Sequence, residues 1–165
     1  MSKNKFYWIV GVLVLVAVAW WGWGKWQNER LLTRYELGGE KAVTPAEFLR
    51  VAKLLEEKYK QDTYGGATPE ATLALFVAAL KKGDDNLAVK YFLPENQTKA
   101  LNDIKVIRGK NTMDKDIQDI TTYPTKWCND KNTECAFSRQ YEDKSVSMIE
   151  FRLNITNKIW KIVSW

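Results

Sequence analysis

Residues Phe6 to Trp23 read FYWIVGVLVLVAVAWWGW, eighteen residues without a charged or amide side chain. At a helical rise of about 1.5 Å per residue, a helix of this length is about 27 Å long, close to the hydrocarbon thickness of a bilayer. A helix on the surface of a soluble domain carries a polar stripe, and this stretch has none. The stretch therefore predicts a transmembrane helix over residues 6–23, with the rest of the chain held at a membrane.

Aromatic residues stand at both ends of this stretch. Amphipathic rings favour the headgroup depth of a bilayer, so two aromatic clusters predict two membrane interfaces. Lys3 and Lys5 lie in a short basic tail over residues 1–5, and Lys25 follows the apolar stretch. The predicted interface residues are Tyr7, Trp8, Trp20, Trp21, Trp23 and Trp26.

Two other interpretations of the stretch stay open. Lys3 and Lys5 would suit the basic region of a signal peptide, and Ala17-Val18-Ala19 has the small-x-small form of a cleavage site. The bulky rings that follow fit a signal peptidase poorly, which favours an uncleaved anchor over a cleaved leader, and a buried core helix is the weakest alternative. A short basic tail has nothing to drive it across a bilayer, so we expect a single-pass protein of the cell membrane with a cytoplasmic N-terminus and an extracytoplasmic C-terminal domain.

Composition argues against several classes of function. The formal net charge is +5, and three lysines near the N-terminus supply much of it, so the remainder lacks the dense basic stripe of a nucleic-acid surface. The chain has no histidine, which removes the commonest general base and the commonest metal ligand. We therefore expect no nucleic-acid partner, no metal and no cofactor, and we assign no catalytic residue.

Cys128 and Cys135 are the only cysteines, and they flank the polar run from Asn129 to Glu134. Such a run is typical of a hairpin tip, where two strands would bring both sulfurs together. In an oxidising compartment the pair would form a disulfide, whereas in a reducing compartment both thiols would stay free. Two cysteines alone are too few ligands for a zinc site.

The remaining chain divides into a spacer and one domain. Residues 24–43 predict a juxtamembrane helix that becomes a linker, and residues 44–165 predict an α+β domain. Thr44-Pro45-Ala46-Glu47 has the form of a capping box and predicts a helix that ends near Gln61. Thr68-Pro69-Glu70 opens a second helix in the same way, and its apolar body predicts the central buried helix. Two shorter helices are predicted over residues 86–92 and 94–108.

The apolar period then changes from helical to alternating. Residues 116–123 are ambiguous, and we predict a strand there. Ser145 to Ile155 alternates well, with Ile149, Phe151, Leu153 and Ile155 on one face. The other predicted strands cover residues 125–128, 134–141 and 159–165. Helices first and an antiparallel meander afterwards predict an α+β fold.

Three segments carry a resemblance to a known family. TPEATLALFVAALKKGD, which ends at Asp84, is followed by AVKYFLP, which ends at Pro94, and the chain closes with IWKIVSW. These segments resemble nuclear transport factor 2-like domains, also called cystatin-like or SnoaL-like. Many members begin with a TPE helix, pass through K-x-G-D and end a short helix in aromatic-x-Pro. The resemblance covers residues 68–165.

This resemblance implies a curved antiparallel sheet that wraps around the helices as a cone, with a pocket at the wide end. Enzymes of the family commonly use an Asp, His or Tyr deep in the cone, and this chain has no His and keeps its acids mostly at caps and turns. Core packing is the simpler explanation for the aromatic residues that would line such a pocket. These residues are Phe76, Tyr91, Phe92, Trp127, Phe137 and Trp160.

Three classes of function remain. The first is a membrane-anchored, non-catalytic domain that binds a protein partner or a small ligand on the extracytoplasmic face. The second is a single-span structural subunit of a transport or secretion assembly, which predicts a homo-oligomer and an exposed apolar patch on the sheet or on the helix from Thr44 to Gln61. Its layout is similar to the single-span inner-membrane assembly subunit of type IV secretion systems. The third is an isomerase or hydrolase of the same fold, which would need a deep pocket with a carboxylate of raised pKa. The missing histidine and the position of the acids at caps and turns favour the non-catalytic classes over it.

Overall fold

The computed structural model describes the backbone of residues 3–165 and the side chains of residues 13–165. Its helices and strands follow the order expected of an α+β chain, with every strand after the last helix. Short 3₁₀ turns lie at Gly39–Ala42, Val89–Tyr91 and Pro94–Asn96. The elements are α1 (Lys3–Gly38), α2 (Pro45–Gln61), α3 (Pro69–Lys81), α4 (Asp85–Ala88), α5 (Gln97–Gly109), α6 (Met113–Thr121), β1 (Thr125–Cys128), β2 (Glu134–Gln140), β3 (Val146–Asn154) and β4 (Ile159–Ser164).

The chain divides into two compact units, Met1–Leu54 and Leu55–Trp165. In the first unit, the rings of Tyr35 and Phe48 lie 6.2 Å apart between α1 and α2. The guanidinium of Arg34 forms an ion pair with Glu47, which also completes the predicted capping box. The Thr44 N–H donates to Glu47 Oε2 at 2.9 Å, and the Glu47 N–H donates to Thr44 Oγ1 at 3.3 Å.

The predicted transmembrane helix is wrong. Among the residues that the structure describes, no helix combines the length and the apolar character that crossing a bilayer requires. The described apolar part of α1 runs from Leu13 to Trp23, which is about 16 Å at the helical rise, and the helix then continues without a break through charged residues to Gly38. The assignment as a single-pass signal anchor is corrected with it. Residues 6–12, including Tyr7 and Trp8 of the predicted interface, lie outside the described side chains.

The second unit is built on a four-stranded antiparallel sheet in the order β1-β2-β3-β4. The far edge of β4 is covered by two isolated bridges, one between Gly66 and Trp160 and one between Phe92 and Ile162. The Trp160 N–H donates to the Gly66 carbonyl at 2.9 Å. A side chain at Gly65 would place its Cβ 2.4 Å from the Trp160 carbonyl oxygen, so glycine is what allows this close approach.

Helix α3 packs against β4 and supplies much of the core, as its apolar sequence predicted. The Thr68 side chain caps it by accepting from the Ala71 N–H at 3.2 Å, and Pro69 occupies the first turn. At the centre the rings of Phe76 and Phe92 meet edge to face, 5.4 Å apart. The α+β class and the antiparallel meander are therefore confirmed.

Two secondary-structure predictions need correction. Residues 116–123 were predicted as a strand, but Met113–Thr121 is helix α6, whose buried residues Met113, Ile117 and Ile120 recur at the spacing of a helix face. The predicted strand from Ser145 to Ile155 ends at Asn154, and Ile155 is 75% exposed in the turn that follows. The short apolar period of α6 was the signal that the strand prediction overlooked.

Candidate functional site

The structure brings together five of the six aromatic residues that the resemblance placed around a pocket. Each of the five is less than 10% exposed, and all belong to the hydrophobic core of the second unit. They are Phe76, Tyr91, Phe92, Phe137 and Trp160. Trp127 is not among them, because it lies on β1 with 60% of its surface exposed. The candidate surfaces are therefore found elsewhere in the second unit.

A buried ion pair lies behind the core, where β4 passes the start of the second unit. Lys161 has no exposed surface, and its Nζ lies 2.6 Å from Asp62 Oδ2. The same ammonium donates to the carbonyls of Tyr64 at 2.7 Å and of Lys90 at 2.5 Å. Burial lowers the pKa of Lys161, and the neighbouring Asp62 carboxylate opposes that shift.

Tyr59, three residues before Asp62, forms a second polar pair with Glu95. The Tyr59 hydroxyl lies 2.7 Å and 2.8 Å from the two oxygens of Glu95 and donates to that carboxylate. Burial, followed by the hydrogen bond to Glu95, raises the pKa of the Tyr59 phenol. The amide of Asn154 donates to the Tyr59 carbonyl at 3.0 Å and fixes the last turn of helix α2 against the end of β3.

A cavity of about 200 Å³ opens beside Asp62 of the buried ion pair. Lys90 lies at its edge, with its Nζ 3.3 Å from the Tyr64 hydroxyl and 4.5 Å from the centre of that ring. The lining residues are Lys58, Gln61, Asp62, Tyr64, Lys90, Pro94 and Gln97.

The chemistry of Lys161 favours a structural role. The Lys161 ammonium donates to the Tyr64 and Lys90 carbonyls, and the Asp62 carboxylate beside it is its counterion. These oxygen partners favour the ammonium form, which lacks the free electron pair that a nucleophile or a general base needs. Lys161 ties β4 to the two chain segments that cover its edge.

Sequence reasoning missed this pair. The segment IWKIV around Lys161 carries apolar residues on both sides of a lysine, which is typical of a strand buried on both faces. A charge in such a strand must find a partner, because an unpaired buried charge is very costly. The sequence therefore held a signal for a buried lysine, but none for Asp62 as its partner.

The outer face of the sheet, which points away from the core, carries the second candidate surface. Trp127 lies on it opposite Ala136 of β2, which in turn pairs with Glu150 of β3. Met148 and Val146 of β3 are 40% and 61% exposed. A depression of about 120 Å³ adjoins Trp127 on this face. We call the exposed side chains of Trp127, Val146 and Met148, together with the half-buried Ala136 between them, the outer patch.

The disulfide predicted from the hairpin is present, between Cys128 of β1 and Cys135 of β2. The two residues stand directly opposite each other in the β1–β2 register, next to Trp127. The turn that joins the strands is held by the Asn129 N–H, which donates to the Glu134 carbonyl at 2.9 Å. The covalent bond therefore fixes the end of the edge strand that presents Trp127.

The exposed tryptophans of the first unit lie on α1. Trp20, Trp21 and Trp23 are 81%, 70% and 63% exposed. The guanidinium of Arg30 lies 4.7 Å from the centre of the Trp26 ring. The assignment of these rings to a membrane interface rested on the predicted span, which the structure does not support.

No match to this chain was found among protein-family models, curated proteins or solved structures. The resemblance to nuclear transport factor 2-like domains therefore stays a prediction. Within the described residues, no cluster of acidic or cysteine side chains has the composition of a metal site.

Proposed function

We propose that the second unit is a non-catalytic interaction domain that binds a protein partner at the outer patch and the adjoining edge of β1. The observation that carries the proposal is Trp127, a large ring that is 60% exposed on a strand fixed by a disulfide. Exposed tryptophan on a rigid scaffold is typical of a binding hot spot, because it offers a large contact area with few rotatable bonds.

The disulfide supports an oxidising compartment as the place where this domain binds its partner. Disulfides persist in oxidising compartments and are rare where thiols are kept reduced. We therefore propose that the domain works on the extracytoplasmic side of the cell. Cys128 and Cys135 leave no free thiol among the described residues, which is consistent with such a compartment.

The filled core supports binding rather than catalysis. Among the aromatic residues that were predicted to line a pocket, Phe76 and Phe92 pack against each other, with ring centres 5.4 Å apart. The buried Lys161 is fully engaged with Asp62 and two carbonyls. A protein-binding surface needs neither an open cone nor a reactive side chain.

A subunit of a larger protein assembly is the second candidate. The exposed apolar side chains of Val146, Met148 and Trp127 favour it, because such a patch is where an assembly contact would form. It differs from the first candidate only in the permanence of the contact.

Site-specific photo-crosslinking tests the proposal. A photoreactive phenylalanine analogue would replace Trp127 in the full-length chain, produced in the cells that make it naturally. The matched control carries the same analogue at Val106, which is 54% exposed on α5. We expect a discrete protein adduct from position 127 and none from position 106. Equal yields from both positions, or no adduct from position 127, would contradict the proposal.

A further inference from the structure

The sheet has one open edge among the residues that the structure describes. The edge of β4 is covered by the bridges to Gly66 and Phe92. In the described part of the chain, β1 pairs with β2 alone, and all four of its residues are exposed. A further strand can therefore join this sheet only beside β1.

The β1–β2 ladder shows which main-chain groups face the open edge. The Cα atoms of Cys128 and Cys135 are 4.1 Å apart, the short spacing of a pair that exchanges no hydrogen bonds. The next residue, Asn129, donates to Glu134, as the alternation of an antiparallel ladder requires. The N–H and C=O groups of Lys126 and Cys128 therefore point away from β2, and those of Trp127 point toward it.

We propose that a second copy of this chain occupies the edge, with the two β1 strands antiparallel about a two-fold axis at Trp127. This inference rests on the proposed interaction surface and names its partner. In that register Lys126 of one copy lies opposite Cys128 of the other. Each copy offers two outward N–H and two outward C=O groups, so the pairing forms four hydrogen bonds and leaves none of these groups unmatched.

The side chains match in the same register. Trp127 of each copy faces Trp127 of the other at a pair without hydrogen bonds, where opposed side chains come closest. Aromatic pairs at such positions stabilise antiparallel strands. The rings also stand on the outer patch, so the pairing removes the largest exposed side chain of that patch from water.

The charge on β1 does not oppose a second copy. Lysine on an edge strand normally discourages pairing, because like charges would meet. Here Lys126 Nζ lies 2.9 Å from Glu70 Oε1 of the same chain, and the hydrogen bond from Lys126 lowers the pKa of Glu70. The ion pair neutralises Lys126, and the residue opposite it in this register is Cys128 of the other copy, so no like charges meet across the pair.

The sequence around β1 sets the length of the contact. Pro124 lacks the N–H that the next outward position would need, and the turn that begins at Asn129 ends the strand. The paired segment is therefore short, with an area below that of a standard stable interface. We expect a weak dimer that forms in concentrated solution.

A charge exchange at the axis tests this geometry. Trp127→Glu and Trp127→Lys would be prepared as full-length chains, mixed, and treated with a carbodiimide that joins touching carboxylates and amines. We expect an amide bond between position 127 of one copy and position 127 of the other, located by mass spectrometry. Neither variant alone can form that bond. The neighbouring Glu70 and Lys126 provide the internal control for reactivity.

A main-chain variant gives an independent measurement. Lys126→Pro removes an N–H that faces the open edge and serves no bond to β2, whereas Lys126→Ala keeps that N–H and loses only the side chain. In the chain with the photoreactive analogue at position 127, we expect Lys126→Pro to reduce the self-adduct at least tenfold, with Lys126→Ala close to the parent. Thermal melting and the intact Cys128–Cys135 bond report that each variant is folded.

The outcomes separate the two proposals. A Glu70–Lys126 link without a link between the two positions 127 would overturn self-pairing. So would equal self-adduct yields from Lys126→Pro and Lys126→Ala in folded chains. If position 127 instead captures a different protein, the interaction surface stands and self-pairing fails. If it captures nothing, both proposals fail.

Discussion

Lys161 and Asp62 form an ion pair 2.6 Å long in which the lysine side chain has no exposed surface and the aspartate side chain is 7% exposed. Two backbone carbonyls complete the coordination of the ammonium, one from Tyr64 and one from Lys90. The pair thus joins the last strand to two segments that are distant in sequence. The ion pair therefore holds these two segments against the edge of β4, in addition to the main-chain hydrogen bonds there.

Removing one partner of this pair should destabilise the domain strongly. Asp62→Ala leaves the Lys161 ammonium buried beside two carbonyls without its counterion, and we expect a loss of about 3–5 kcal/mol in the free energy of unfolding. The double variant Asp62→Leu with Lys161→Met removes both charges, so its loss should be smaller than that of Asp62→Ala. Denaturant unfolding measures all three. A double variant that is less stable than Asp62→Ala would show that the charges themselves stabilise the fold.

Removing the buried hydroxyl of Thr72 in α3 should destabilise the domain. It is fully buried, donates to the Trp160 carbonyl at 2.9 Å and accepts from the Gly66 N–H at 2.9 Å. Thr72→Val removes the hydroxyl and leaves both main-chain groups unsatisfied, with an expected loss of about 1–3 kcal/mol. Thr72→Ser keeps the hydroxyl and serves as the control. Equal losses in the two variants would assign the effect to packing.

Tyr59 should make the free energy of unfolding fall as the pH becomes alkaline. Burial and the bond to Glu95 raise its pKa in the folded chain, so the folded state keeps a proton that the unfolded state releases above about pH 10. This contribution is fully present below the unfolded pKa and is lost as the pH rises above it. Tyr59→Phe should lose stability less steeply between pH 9 and 11 than the parent does, as followed by denaturant unfolding. Parallel curves for the two proteins would contradict this account.

Reducing the disulfide should weaken the β1 hairpin. The bond joins residues separated by 7 positions, and closing so short a loop stabilises the folded chain by about 2–3 kcal/mol in the chain-entropy description. We expect the Cys128→Ser, Cys135→Ser double variant to unfold at lower denaturant than the parent. Adding a thiol reductant should shift the unfolding midpoint of the parent to that of the double variant, and it should leave the midpoint of the variant unchanged. A parent that is insensitive to reductant would count against the predicted contribution.

Local signals in the sequence predicted α3 and the β1–β2 hairpin. Thr68-Pro69 marked the start of α3, and the two cysteines around a polar run marked the hairpin, because caps and turns are set by neighbouring residues. The short helix α6 was mistaken for a strand, since its 9 residues hold too few apolar side chains to separate a helical from an alternating period. The transmembrane prediction rested on the apolar composition of residues 6–23. The described part of α1 does not support it.

The candidate surfaces were harder to predict because they depend on tertiary pairing. Nothing in the local sequence connects Lys161 with Asp62, and only the bridges at Gly66 and Phe92 reveal that the β4 edge is closed. Trp127 was placed among pocket aromatics, yet the register of β1 turns it to the outer face. A shift of one residue in that register would have reversed its direction.

Hydrogen exchange of the β1 amides tests most directly whether this edge is the interaction surface. The amides of Lys126 and Cys128 face the open edge, whereas the Trp127 amide faces β2 and serves as the internal reference. We predict that exchange at Lys126 and Cys128 slows at least about tenfold between dilute and concentrated solutions, while exchange at Trp127 changes little. Fast exchange of both edge amides at every concentration, with new protection elsewhere in the domain, would contradict the account.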